Sequence, residues 1–208
     1  MSNKMTDLQF IKGEQLYLSP FTLECITDEY IGWLNNRHLM RYSRQSMFEH
    51  SHETCLKHLE SFAGSDNSFF SVRTLDNVQI GTVTTYVKKD KGVGDIGILV
   101  AHPSAKGKDF AYQAWGLAMA YLFDGILLDK ATGGTVAEHQ RMISIFERWG
   151  MKHEETWTGH QELGGKIHDA VRYGISRAEW MALPNKPVCS IDISKAVDSL
   201  EGLDKWVK

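Results

Sequence analysis

The residues Gly94 to Ala111, GDIGILVAHPSAKGKDFA, constrain the fold more than any other stretch of the chain. Ile96, Ile98 and Val100, with Leu99 making the run nearly continuous, read as a short apolar strand. His102-Pro103-Ser104 turns the chain, and a small basic loop, Lys106-Gly107-Lys108, opens a helix that continues through YQAWGLAMAYLF. A helix start leaves backbone N–H groups without partners and carries a partial positive charge. A strand that delivers the chain to a helix start rich in Gly and Lys therefore makes an anion site.

Strand and helix patterns alternate around this stretch. Gln15 to Ser19 alternates as a strand that Pro20 stops, and Thr22 to Ile26 reads as a second extended piece. Thr27 is placed to cap a helix through Ile31, Trp33 and Leu34 that ends at Asn35-Asn36. Ser51 opens a second amphipathic helix carrying Cys55, Leu56, Leu59 and Phe62, closed by Gly64. Three strands in a meander follow, Phe69 to Thr74, Gln79 to Val87 and Asp95 to Ala101, joined at Asp76-Asn77 and by the polar turn KKDKGVG. After the helix from Asp109 to about Phe123 come a strand, Lys130 to Ala137, and a helix, Gln140 to Trp149, closed by Gly150. Gly133-Gly134 in that strand permit close approach. Lys152 to Glu162 and Lys166 to Ser176 read as a final hairpin around Gly164-Gly165. This order predicts an α/β fold. Pro184-Asn185-Lys186-Pro187 reads as a linker, and Ile193, Val197, Leu200, Leu203 and Trp206 space as a short amphipathic helix that docks on the domain or on a second copy, as in a homodimer.

The 208 residues suffice for one sizeable core. A formal charge of −3 with acids and bases interleaved argues against a nucleic-acid footprint or a polybasic membrane patch. Cys25, Cys55 and Cys189 lie in no metal-like spacing and fit a reduced, cytoplasmic protein. MSNKMTDLQF lacks the apolar core of a signal peptide, and His50, His52 and His58 do not make a metal set.

The strand, loop and helix resemble the acetyl-CoA-binding core of the GNAT N-acetyltransferases, and the resemblance runs from about Leu16 to Trp180. Lys106-Gly107-Lys108-Asp109-Phe110-Ala111 is similar to the family's Arg/Gln-x-x-Gly-x-Gly/Ala loop, which wraps the pyrophosphate of coenzyme A. Lys106 stands where Arg or Gln is usual, and Asp109 where Gly is usual. Ser144 to Met151 resembles the family's terminal helix motif, with an aromatic residue followed by the charged pair Glu147-Arg148, and Phe146 stands where many relatives carry Tyr. The branch most resembled includes the ribosomal-protein N-terminal acetyltransferases (the RimJ/RimL type) and acetylases of small amines or nucleotide-linked amino sugars.

The resemblance implies a GNAT fold with a mixed central sheet of about six to seven strands, helices on both faces and splayed central strands that form the acetyl-CoA cleft. It implies a bulge at Gly97, a GNAT domain over residues 1–180 and a tail over 181–208. The implied activity is acetyl-CoA-dependent N-acetyl transfer, without a metal, to a primary amine of a small molecule such as an amino sugar or polyamine, or to a protein N-terminus. Ile98, Leu99, Val100, Lys106, Gly107, Lys108, Asp109, Phe110, Ala111 and Phe146 would then hold the cofactor, and Asn35, Arg37 and Tyr42 the acceptor. Asp109 is expected to cap its helix while the amides of Gly107 and Lys108 meet the phosphates.

Acetyl transfer from a thioester to an amine needs a neutral amine, a stabilised oxyanion and a proton for the departing thiolate. Asp95 stands where relatives often carry an acid that takes the amine proton, and it reads equally as a turn aspartate beside Gly94. A backbone N–H at Leu99 or Val100 would meet the oxyanion. Phe146 has no proton to give. His139, after Glu138, replaces an Asn common in relatives and could supply one. The departures at Asp109 and Phe146 also admit a non-catalytic acyl-CoA-binding module.

Overall fold

A computed structural model describes residues 11–192. Its strands are β1 (Ile11–Lys12), β2 (Leu16–Pro20), β3 (Ser68–Thr74), β4 (Gln79–Lys88), β5 (Val93–Val100), β6 (Lys130–Val136), β7 (Lys152–Leu163), β8 (Lys166–Ser176) and β9 (Ser190–Ile191). Its helices are α1 (Asp28–Asn35), α2 (His52–Glu60), α3 (Phe110–Ala120), α4 (Gln140–Arg148) and α5 (Arg177–Ala182). The strands make one mixed sheet in the order β7-β8-β6-β5-β4-β3-β2-β1-β9. Seven of them are the strands that the periodicity predicts. The other two are two-residue strands that pair with each other, Ile11 opposite Ile191, so the chain past the predicted linker adds an edge to the sheet.

Local chemistry explains most boundaries. Thr27 Oγ1 accepts the Tyr30 N–H and starts α1 behind Asp28 and Glu29. Asn77 holds positive φ in the β3–β4 turn, and Gly164 and Gly165 do so in the β7–β8 turn. The extended piece expected over Thr22 to Ile26 is instead a single 3-10 turn, Leu23–Cys25, because Thr22 and Cys25 cap one another through side chain and backbone. α5 was not anticipated: Ser176 and Glu179 form a capping box and Trp180 is fully buried. The amphipathic helix expected from Ile193 to Trp206 lies outside the described residues.

Helices cover both faces of the sheet. One core gathers Trp115, Leu122 and Phe123 from the α3 segment with Phe146, Trp149 and Trp180. The other gathers Phe21, Trp33, Leu59, Phe62 and Phe69 under α1 and α2. Among the described residues, no helix is long and apolar enough to cross a membrane.

The centre of the sheet positions the site. β5 runs antiparallel to β4 without interruption from Val93 to Val100. It runs parallel to β6 over only three rungs, Val93 to Asp95, while β6 stays paired with β8 along its whole length. Beyond Asp95 the two central strands part. The bulge expected at Gly97 is absent. The register of β4 and β5 is continuous there, and the shift lies one strand away, at Val72/Arg73 in β3. Gly97 serves a close approach instead, since a Cβ on it would stand 2.6 Å from Thr84 Oγ1.

Candidate active site

Ala101 donates to the Ile80 carbonyl at 2.9 Å, continuing the β4–β5 register. Antiparallel strands alternate their hydrogen-bonding direction residue by residue, so the backbone groups of Leu99 face β4 and those of Ile98 and Val100 face the gap. Of the two amides expected to meet an oxyanion, Val100 is therefore the one directed into the gap beside β5, while Leu99 lines the cavity. Polar backbone left unpaired inside a fold is costly unless something pairs with it. The unpartnered edge of β5 suits an extended amide chain such as the pantetheine arm.

The loop at the end of β5 has the chemistry of a diphosphate cradle. Gly107 takes φ +76°, where a side chain would be strained. The first-turn amides of α3 have no side-chain cap. Lys108 spends its own N–H on the Ala105 carbonyl at 3.1 Å, so the amides left for an anion are those of Gly107 and of the α3 start rather than that of Lys108. Its ammonium lies 5.1 Å over the Phe110 ring. Asp109 does not cap the helix. Its carboxylate is gripped by both guanidinium nitrogens of Arg148, one at 3.0 Å from Oδ1, and this pairing holds its pKa below the usual carboxylate range. Arg148 also stacks 3.9 Å over Tyr112, which stacks on Trp149. The acid in place of the family's glycine thus brings its own counter-ion.

The parting strands open into a cavity of about 760 Å³ lined by residues from both the α1–α2 and the α3–α4 layers. Ile98, Leu99, Phe146, Tyr42 and His139 line it, so the structure brings together cofactor, acceptor and catalytic candidates from four separate stretches of sequence. Phe146 is fully buried between Trp115 and Tyr173. His139 stacks on Tyr42 at 4.7 Å, and its Nδ1 lies 3.1 Å from Thr135 Oγ1. Burial, and then the nearby Arg41 and Arg141, push its pKa down and keep the ring neutral at pH 7.

Other candidates stand apart from this cavity. Asn35 clips the following loop, its side chain donating to the His50 carbonyl and accepting from the His50 N–H, both at 2.8 Å. Arg37 is exposed outside the lining. Asp95 sits on the last shared rung of β5 and β6, opposite Thr132. Thr132 Oγ1 and Arg172 Nη2 donate to its Oδ2 at 2.7 and 2.8 Å. Asp95 itself does not line the cavity, whereas Arg172 does. Among the described residues, no group of three or more His, Cys, Asp or Glu is gathered as for a metal ion.

Sequence reasoning missed Thr132, Arg172 and Arg148. The Glu147-Arg148 pair in the terminal helix motif was the available signal for Arg148. Arg172 lies 77 positions from Asp95 and meets it only through the strand order.

Comparison with known proteins agrees with this geometry. A search of curated proteins found no match. Among solved structures, a GNAT-family acetyltransferase from Bacillus anthracis superposes with a TM-score of 0.70 at 20% identity, over 82% of this chain and 99% of that one. The spermidine N-acetyltransferase of Vibrio cholerae, solved in complex with CoA and spermine, gives 0.68 at 23% identity over 80% and 98%. A GCN5-related N-acetyltransferase from Brucella melitensis gives 0.69 at 20% identity over 84% and 81%. At these identities the likeness is one of fold. The acetyltransferase (GNAT) domain profile matches residues 15–152, from β2 to the start of β7, and the chain therefore belongs to this family of acyltransferases.

Proposed function

We propose that the protein is an acetyl-CoA-dependent N-acetyltransferase acting on a primary amine of a small molecule or a protein N-terminus. The observation that carries the reading is that β5 and β6 part into one cavity shared by an unpaired backbone edge and a neutral histidine. When bound, acetyl-CoA supplies an already activated acyl group, so much of the rate can come from positioning.

Gly107, the α3 amides and Lys106 and Lys108 hold the diphosphate, with Arg148 neutralising Asp109 beside it. The β5 edge at Ile98 and Val100 aligns the pantetheine arm, and the Val100 N–H meets the thioester oxygen where charge develops. His139 receives a proton from the incoming ammonium. Thr135 occupies Nδ1, and among the described residues Nε2 has no hydrogen-bond partner, which suits it to that transfer. An ammonium that becomes an amide sheds two protons. One leaves to solvent and the other returns through His139 to the departing sulfur, a role that Phe146 cannot fill. Asp95 is then a positioning residue that ties Arg172 and Thr132 together where the strands divide.

The Asp109–Arg148 pair neutralises the acid that stands where the family's loop carries glycine, which favours coenzyme binding whether or not the site is catalytic, so turnover is what separates an enzyme from a non-catalytic acyl-CoA binder. Titration calorimetry with acetyl-CoA, followed by thiol release on a panel of amines, tests the proposal. Binding together with amine-dependent release of free thiol is expected. Binding with release no faster than hydrolysis on every amine would favour the binder.

A further inference from the structure

The acceptor end of the cavity carries little negative charge and much exposed ring surface. Among the described residues, Glu49 is the only carboxylate in its lining, against Arg44, Arg172 and the histidines at 50, 58, 139 and 160. A polyamine brings several ammonium groups, and each must trade its hydration for a carboxylate or pay for desolvation. This lining offers one carboxylate for one ammonium. The same walls leave Phe48 62%, Tyr86 43% and Trp157 41% exposed, although large aromatic groups ordinarily pack away from water. They come from the loop after α1, from β4 and from β7, so no local sequence effect explains their meeting around one opening. Tyr42 is not part of this free ring surface, because it stacks on His139 and carries the Arg41 guanidinium 4.6 Å over its ring.

We infer that the acceptor is a monoamine carried on a flat aromatic body, an arylalkylamine or the aromatic residue at a peptide N-terminus. The ring lies among Trp157, Phe48 and Tyr86, and the single ammonium is directed toward His139. One ammonium needs one counter-charge, and Glu49 is the one carboxylate that the described lining supplies. This inference rests on the proposed acetyltransferase activity.

The test compares phenethylamine, an N-terminal Phe dipeptide, spermidine, glucosamine 6-phosphate and an N-terminal Ala dipeptide by thiol release at saturating acetyl-CoA, with acetyl-CoA affinity measured separately. The expected result is that kcat/KM for one of the two aromatic amines leads every other compound by roughly 10-fold or more, the discrimination available from one aromatic contact. Trp157→Ala, a change at a half-exposed site, should raise KM for that amine roughly 10-fold and leave acetyl-CoA affinity unchanged. A lead for spermidine, the amino sugar or the Ala dipeptide overturns the inference, as does a Trp157→Ala enzyme with unaltered KM. Acetyl-CoA binding with no aromatic amine acetylated overturns it as well, while failure to bind acetyl-CoA removes the acetyltransferase reading itself.

Discussion

His139 shows how burial sets chemistry at one position. A free imidazole is partly charged near pH 6.5, but removal from water and the cations Arg41 and Arg141 all disfavour its charged form. Its folded pKa lies below the unfolded value, so the unfolded chain binds the proton more readily. The stability tied to this group is whole above about pH 6.5 and declines as pH falls from there through the lowered folded pKa. The same shift keeps it able to accept a proton at neutral pH. His139→Gln is expected to lower turnover at pH 7 by roughly 10²-fold. The remaining activity should climb steadily with pH as more amine is neutral in solution, while wild type shows an acid limb centred below pH 6.5. A His139→Gln profile parallel to wild type, with turnover unchanged, would show that the ring serves only to pack against Tyr42.

Between elements, the contact that fixes the loop before α3 is the crossing of α3 over α4. Gly116 in α3 lies against Trp149, and an added Cβ would stand 2.2 Å from its Cζ2. Trp149 has little room to yield, because it is buried, stacks on Tyr112 at 4.3 Å and donates from Nε1 to the Tyr112 carbonyl at 2.9 Å. An isolated helix would gain about 1 kcal/mol from Gly→Ala. Overpacking a tight contact costs about 1–3 kcal/mol. Gly116→Ala should therefore lower the melting temperature by roughly 2–4 °C for each kcal/mol of net loss. It should also weaken coenzyme A binding, because Arg148, next to Trp149, orients Asp109 at the loop. Thermal melts and coenzyme titration check both effects, and a rise in melting temperature would mean that propensity outweighs packing here.

For the molecule as a whole, the parted strands are a fault that a ligand can repair. Coenzyme A bound along β5 and the α3 start would bridge both halves of the sheet and bind only the folded state. At about 100 times its dissociation constant such a ligand adds about 2.7 kcal/mol. That corresponds to a rise in melting temperature of roughly 5–11 °C for a chain of this size. Desulfo-coenzyme A should do nearly as well, since its diphosphate and pantetheine are intact. Differential scanning fluorimetry with acetyl-CoA, desulfo-coenzyme A and free adenosine tests this, and a shift with adenosine equal to that with acetyl-CoA would place the stabilisation in the nucleoside alone.

Local pattern was enough for the seven long strands, the caps at Thr27 and Ser51 and the basic loop before α3, because periodicity and capping depend on residues within a few positions of one another. His139 and Tyr42 were singled out by the family resemblance rather than by pattern, and both line the cavity. What pattern could not supply was anything that depends on strand order or helix crossing. Asp95 meets Arg172 because β6 and β8 are neighbours, and Asp109 meets Arg148 because α3 crosses α4. Gly97 marked a close approach, but whether it made a bulge depended on the partner strand, where Thr84 fills the space a Cβ would need. The aromatic ring around the cavity is likewise assembled from the loop after α1, β4 and β7. Spacing within a segment is fixed by the chain's covalent geometry. The company that a side chain keeps across the sheet is fixed only when burial of the two cores folds the segments together.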